Sequence, residues 1–479
     1  MIRRLTIATW LMAATLTTSA QSSLEAVYTL PDSVKPFTID MFYKVVIDHH
    51  PVARQASLLS EMARQEIRLA RGAFDPKLEF MLSQKQFQDK TYYDLRDAYI
   101  YFPSQFPVNP KIGFEDNRGV FVNPSETIPD NRQYFAGLSL PIGRGLITDD
   151  RRAALQQAKL FQNLAEADQV KMVNKILLQA AKEYWQWYHA YYNYRLLNRA
   201  TTIASEIFRR VKINNELGEA AAIDTVQAKI TLQTRLVEQQ EAFLVFQNAG
   251  ITLSNYLWDD QGQPLQLGNQ VAPVLNNADA ETLSLKTAED LAVLARDRHP
   301  ELIKLRTKIQ QLQVDESLAK EFLKPKLDLD YTFLMPSSSP TSFNTDNYKL
   351  GIDFSFPILL RKERSKLAQT RLKITGTKLE QSLAEREIVN EINTTFNEIV
   401  NTGNIIRQQT EMVNLYDRIL NAELINLEQG ESDLFKINIQ QEKLIQSQSK
   451  LLKLQSEYEK YKAQLYWAAG VRNLGLTTN

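Results

Sequence analysis

Between residues 326 and 356 the chain changes character with a period of two. Leu327, Leu329, Tyr331 and Phe333 interleave with Lys326, Asp328, Asp330 and Thr332. Tyr348, Leu350, Ile352, Phe354 and Phe356 interleave with Lys349, Gly351, Asp353 and Ser355. Successive side chains of a strand point to opposite faces, so each segment predicts a strand with one apolar and one charged face. A less regular version occurs earlier, where Leu78, Phe80 and Leu82 oppose Lys77 and Glu79, and Ala136, Leu138 and Leu140 oppose Gly137 and Ser139. At nine to eleven residues these strands are long enough to cross a bilayer at a tilt.

Elsewhere the apolar positions follow helical spacing. Residues 147–216 and 360–429 are each 70 residues long without an internal proline. As helices they would each extend roughly 105 Å at 1.5 Å per residue. Each is followed by a shorter return helix, predicted over Asp224 to Trp258 and Asp433 to Trp467. Ile223, Ile230, Val237, Leu244 and Ile251 repeat every seven residues in the first. Ile437, Leu444, Leu451, Tyr458 and Leu465 do so in the second. A seven-residue repeat marks a face that packs against neighbouring helices. Helices over Asp40 to Arg71 and Asp290 to Phe322 lead into the strands. Pro51 and Pro300 fall inside them, where a proline marks a first helical turn and the stretch before it a separate short helix.

These elements occur twice in the same order. His50-Pro51 and the run ending Pro76-Lys77-Leu78 recur as His299-Pro300 and Pro325-Lys326-Leu327, both offset by 249 residues. The turn Leu217-Gly218-Glu219 recurs as Gln429-Gly430-Glu431. A duplication of this length divides the chain into a first repeat over residues 21–265, a linker over 266–285 and a second repeat over 286–479. Residues 89–131, between the first pair of strands, have no counterpart in the second repeat. Rich in Tyr, Phe, Pro, Asn and Asp, they read either as an exposed loop or as an extra hairpin.

Residues 1–20 look like a secretory signal: Arg3 and Arg4, an apolar run from Leu5 to Leu16, and small residues at Thr18-Ser19-Ala20. Without them 54 basic residues face 56 acidic ones, which argues against a nucleic-acid partner. There is no cysteine, so disulfides, thiolate metal sites and a catalytic thiol are excluded. His49, His50, His189 and His299 are too scattered for a metal site, and no catalytic or cofactor-binding constellation is present. The sequence reads as a non-enzyme without metal or cofactor.

An exported chain with strands of this polarity is either a soluble sandwich or a membrane barrel. Four strands cannot close a barrel, and open strand edges are not tolerated in lipid. Lipid-facing strands therefore require several chains in one wall, and three chains would supply twelve.

The order of elements, the proline-bounded strand pairs, the segment Ala181-Lys182-Glu183-Tyr184-Trp185 and the glycine turn before each return helix resemble the TolC-like outer-membrane efflux protein family, over about residues 37–470. The resemblance implies an α+β membrane protein, with four transmembrane β-strands per chain in a 12-stranded trimeric barrel above a long periplasmic coiled-coil barrel. It implies a homotrimer in the outer membrane that works with a periplasmic adaptor protein and an inner-membrane pump as the exit duct of an efflux or type I secretion system. The competing reading is an exported coiled-coil protein, structural or adhesive, that forms no channel.

The lipid-facing set expected from the alternation is Leu78, Phe80, Leu138, Leu140, Leu327, Leu329, Tyr331, Phe333, Leu350, Ile352, Phe354 and Phe356. The periplasmic entrance and adaptor contact is expected at the helix tips, at Glu216, Gly218, Glu219 and Asp224 and at Glu428, Gly430, Glu431, Asp433 and Lys436. Asp224 and Asp433 also suit helix capping, since each begins a return helix. Members of the family often carry aspartates six and nine residues after the second glycine. This chain has Lys436 and Ile439 there, so any constriction is built differently. Tyr184, Trp185, Trp187, Tyr188, Tyr191, Tyr192 and Tyr194 suit packing in a mid-helix belt better than a ligand site.

Overall fold

The computed structural model of the protein describes residues 34–268, 270–275, 285–339, 344–429 and 431–471. The signal segment, much of the linker and Gly430 lie outside the described residues. The described residues form two compact units, one drawn from 57–169 and 300–385, the other from 34–56, 170–299 and 386–471. Both repeats thread through both units.

The first unit carries a six-stranded antiparallel sheet. Its strands are β2 (Lys77–Phe87), β3 (Lys90–Tyr101), β4 (Asn109–Arg118), β5 (Arg132–Pro141), β7 (Lys326–Pro336) and β8 (Tyr348–Ser355), paired in that order. Where four strands per chain were expected, the sheet of this chain has six. The insert supplies β3 and β4. Its alternation is hard to see in sequence because β3 carries tyrosines on both faces and turns Arg96 and Asp94 to the side that is apolar elsewhere. A two-residue turn, Gln88-Asp89, joins β2 to β3 with both residues in the left-handed region, at φ 50° and 57°. That geometry matches the twist of the flanking strands.

Helix α2 (Pro51–Gly72) leads into β2, and α6 (Pro300–Glu321) into β7. Each starts at a proline, and a separate helix precedes it: α1 (Ile39–His49) and α5 (Leu285–Arg298). Proline has no N–H to donate and disfavours helical geometry in the residue before it. His50 accordingly sits extended at φ −64° and ψ 133°. Its Nδ1 accepts a hydrogen bond from the Val52 N–H at 3.1 Å.

Helices α3 (Asp150–Glu216, 67 residues) and α7 (Arg361–Glu428, 68 residues) start in the first unit and continue into the second. There they are followed by α4 (Ala222–Ser254) and α8 (Leu434–Ala468). The core of the second unit is aromatic. Phe42, Tyr184, Trp187 and Tyr188 are fully buried among Leu253, Ile176 and Leu452. Strand β1 (Lys35–Phe37) pairs in parallel with β6 (Val271–Pro273) beside this core. The Tyr184 hydroxyl donates to the Phe37 carbonyl at 2.6 Å, and Tyr192 to the Pro273 carbonyl at 3.0 Å. The tyrosines thus bury their rings and satisfy their hydroxyls on strand carbonyls, as packing residues do.

Candidate transmembrane wall and helix tips

The strand register sorts every side chain of the sheet onto one of two faces. Directly paired residues share a face, so the rows can be followed across it. Leu78 is opposite Ile100, Ile100 opposite Ile112, Ile112 opposite Ala136, Ala136 opposite Phe333 and Phe333 opposite Tyr348. Leu140, Leu329 and Ile352 form another row, as do Leu138, Tyr331 and Leu350; Leu327 is opposite Phe354. The register thus gathers Leu78, Phe80, Leu138, Leu140, Leu327, Leu329, Tyr331, Phe333, Leu350, Ile352 and Phe354 on a single face. Phe356 lies just past the end of β8. Much of this face is open, with Leu78 77% and Ile352 66% exposed.

The opposite face is concave and mainly polar, with Phe135 and Leu334 opposed on it. Glu79 of β2, Asp97 and Tyr99 of β3, Lys111 and Glu115 of β4, Asp330 of β7 and Lys349 of β8 line one cavity of about 580 Å³. A cavity that touches both outer strands of a six-stranded sheet requires the sheet to curl toward this side. Tyr99 donates to Glu79 at 2.5 Å, and Gln133 to Glu115 at 2.7 Å. Gly113 lies on the same face, where a Cβ would fall 2.3 Å from the Ala98 carbonyl oxygen. Only glycine lets the two strands approach this closely inside the curl. A soluble barrel puts its apolar side chains inside. Here they are outside.

On the convex face the apolar rows end at a row of ion pairs. Asp116, 2% exposed, accepts from Arg118 and Arg132, each at 2.7 Å, and Asp94 accepts from Arg96 at 2.7 Å. Arg96 is opposite Asp116, and Asp116 opposite Arg132. Alternation continues here with charged residues at positions that lower rows fill with apolar ones, which defines a margin. No helix among the described residues is long and apolar enough to cross a membrane.

At the first helix tip Gly218 adopts φ 75°, and the Glu219 N–H reaches back to the Asn214 carbonyl at 2.8 Å. The left-handed residue satisfies carbonyls that the helix end would leave bare. Glu216 and Glu219 are exposed. Asp224 accepts from the Ala221 N–H at 3.2 Å, and Asp433 accepts from the Lys436 N–H at 2.8 Å as the N-cap of α8. In the second turn the Glu431 N–H bonds the Asn426 carbonyl at 2.8 Å, and α7 ends at Glu428. Both aspartates thus hold backbone at the start of a return helix. The Glu431 and Lys436 side chains are exposed.

The heptad stripes of the two return helices have different surroundings. Along α8, Ile437, Leu444, Leu451 and Leu465 are buried. Along α4, Ile223, Ile230, Val237, Leu244 and Ile251 are all exposed, with Ile251 at 68%. The buried side of α4 carries Ala228, Arg235 and Ala242, also seven residues apart. The sequence marks the Ile223 stripe more strongly because its residues are larger. On α7 a similar exposed row contains Ile405, Met412 and Ile419. Arg235 is the functional-looking residue that pattern reading passes over, because a charge on a heptad position gives no apolar signal.

A curled sheet with its apolar side outward, followed by helices of nearly seventy residues, is a fold that several solved outer membrane channels share. More particularly, the fold is that of the TolC-like outer-membrane factors. The chain is similar to the outer membrane channel CmeC of Campylobacter jejuni, with 13% identity and a TM-score of 0.63 over 90% of this chain and 85% of that one. It is similar to the outer membrane protein VceC of Vibrio cholerae, with 14% identity and a TM-score of 0.62 over 90% and 96% of the two chains. The open state of the Neisseria gonorrhoeae MtrE outer membrane channel is matched at 12% identity and a TM-score of 0.63 over 90% and 89%. No protein-family model and no curated protein matches the sequence.

Proposed function

We propose that this protein is a passive exit duct in the outer membrane of a Gram-negative cell. It assembles as a homotrimer, extends into the periplasm, and receives cargo from a periplasmic adaptor and an inner-membrane pump. One observation carries the reading: the sheet is apolar on its convex face, mainly polar on its concave face, and unpaired at both edges among the described residues. In hydrocarbon an unpaired edge leaves N–H and C=O groups without partners, so such a wall must be completed by other copies. The exposed Ile223 stripe of α4 and the Ile405 row of α7 supply apolar faces of the kind a neighbouring copy would cover. The similar solved proteins are titled outer membrane channels, which favours the same role here.

In this reading the residues from Leu78 to Phe356 that share the apolar face meet lipid, and the tips at Glu216, Gly218, Glu219, Asp224, Glu428, Gly430, Glu431, Asp433 and Lys436 meet the adaptor. The chain itself does no chemistry. Its two halves, 21–265 and 286–479, are copies of one unit joined by 266–285, as the matching order of helices and strands supports. A soluble sandwich, which the coiled-coil structural reading requires, would cover the apolar face that stands open here.

The test is extraction of the full-length protein from membranes, followed by measurement in a planar bilayer. A detergent-requiring oligomer that conducts ions supports the duct. A chain that stays soluble and monomeric without detergent overturns it.

A further inference from the structure

The insert that sets the first repeat apart can lie in three places: in the wall, inside the lumen as a plug, or above the membrane as a loop. The register distinguishes among them. Hairpin β3–β4 sits between β2 and β5 and pairs with both, β3 and β4 without any shift along their shared length. Its faces are in phase with those of its neighbours. Ile100 and Ile112 fall in the apolar row that runs from Leu78 to Tyr348, and Tyr99 and Lys111 fall on the polar side.

The charged margin of the band lies in a single register row across the hairpin and its neighbour, at Arg96 of β3, Asp116 of β4 and Arg132 of β5. The row before it is Ala98, Phe114, Tyr134 and Met335, so the apolar face of the hairpin ends level with that of β5. A plug or an external loop has no reason to carry an apolar face, still less one that ends in the same row as its neighbour's. Two inserted strands also keep the count even, so β2 of one copy runs antiparallel to β8 of the next.

We propose that β3 and β4 are wall strands and that each chain contributes six strands, giving an eighteen-stranded barrel in the homotrimer. This rests on the duct reading given above. With strands about 4.8 Å apart and tilted about 40°, the backbone radius becomes roughly 18 Å instead of roughly 12 Å for twelve strands. The membrane section of the duct then has a little over twice the cross-section, and the hairpin works as a gauge of lumen width.

Electron cryomicroscopy of the full-length protein in lipid nanodiscs tests this. A trimer with eighteen strands is expected. A trimer with twelve, the hairpin lying in the lumen or outside the membrane, overturns the inference and leaves the duct intact. The absence of any membrane-embedded oligomer overturns both. The chain has no cysteine, so single-cysteine variants supply a second measurement without background. Ile100→Cys and Ile112→Cys in native membranes should react at least about tenfold more slowly with a charged, water-soluble thiol reagent than Tyr99→Cys and Lys111→Cys, because charge does not enter hydrocarbon. Equal rates on the two faces would place the hairpin in water and overturn the proposal.

Discussion

The Arg235 guanidinium of α4 donates to Glu442 of α8 at 2.5 Å, and through its other terminal nitrogen to Glu238 at 2.7 Å. Arg235 is 4% exposed, whereas both carboxylates reach solvent. The pair joins the return helix of one repeat to that of the other. The Thr201 hydroxyl of α3 bonds the Arg235 carbonyl at 3.0 Å, so a third helix is tied to the same residue. Removing one partner of a buried pair leaves the other's polar groups without compensation, which typically costs 3–5 kcal/mol when both ions are buried. With the acids half in water, Arg235→Ala should cost less, about 2–3 kcal/mol, and Glu442→Gln about 1 kcal/mol. Denaturant unfolding followed by circular dichroism checks this. Equal stability of wild type and Arg235→Ala would show that the pair only fills space.

On the sheet, Tyr331→Arg and Leu350→Arg, opposite one another inside the apolar band, should each impair membrane assembly by about 2–4 kcal/mol. Asp330→Asn, one residue along from Tyr331 but on the concave face, should assemble normally. The yield of membrane-embedded oligomer resistant to urea extraction reports the difference. Normal insertion of both arginine variants would reverse the assignment of faces.

The tips depend on backbone geometry. Asp433→Ala removes the acceptor of the Lys436 N–H and should destabilise the start of α8 by about 1 kcal/mol. Gly218→Ala puts a Cβ at φ 75°, where no neighbour lies within 4 Å, so its cost is the conformational strain of about 1–2 kcal/mol and not a clash. Hydrogen exchange at the tips should rise in both variants while the aromatic core stays protected. If adaptor binding is lost while exchange is unchanged, the two residues act through contact and not through backbone.

His189 on α3 is held neutral. Burial, helped by Lys460 and Lys453, lowers its pKa from 6.5 to about 4. A histidine whose folded pKa is depressed adds stability that is fully present above its unfolded pKa near 6.5 and is lost as pH falls toward 4. A shift of this size is worth on the order of 3 kcal/mol. Thermal unfolding should therefore weaken between pH 6.5 and pH 4 more in the wild type than in His189→Gln. His50, whose pKa burial also lowers, acts in the same direction in both proteins. Parallel pH profiles for wild type and variant would show that His189 carries its charge freely.

How much of this was legible in sequence depended on whether a residue's pattern stated its partner. The alternation at Leu327 to Phe333 named its own faces because the strand period of two is local, and the duplicated prolines marked where α2 and α6 begin. At residues 90–118 the sequence left a loop and an extra hairpin both open, and the structure has the hairpin; its faces were not legible, since its outward positions mix Ile112 and Phe114 with Arg96 and Asp116. Nothing local says that charge there marks the end of an apolar band.

The helix stripes show the same boundary. Heptad spacing marked Ile223 to Ile251 and Ile437 to Leu465 as apolar stripes, since spacing along a helix is a local property, but only the second is buried within the chain. Which face packs within the chain was decided only in three dimensions, where the Ala228–Arg235–Ala242 side of α4 turns inward and the larger stripe turns outward. By itself the sequence determined the long helices, four of the six strands of the sheet, their order and the two-sided character of those strands. The tertiary structure decided that six strands share one sheet, that the apolar side is convex, and that Arg235 meets Glu442. Those depend on register, curvature and approach between segments about two hundred residues apart, which local periodicity does not encode.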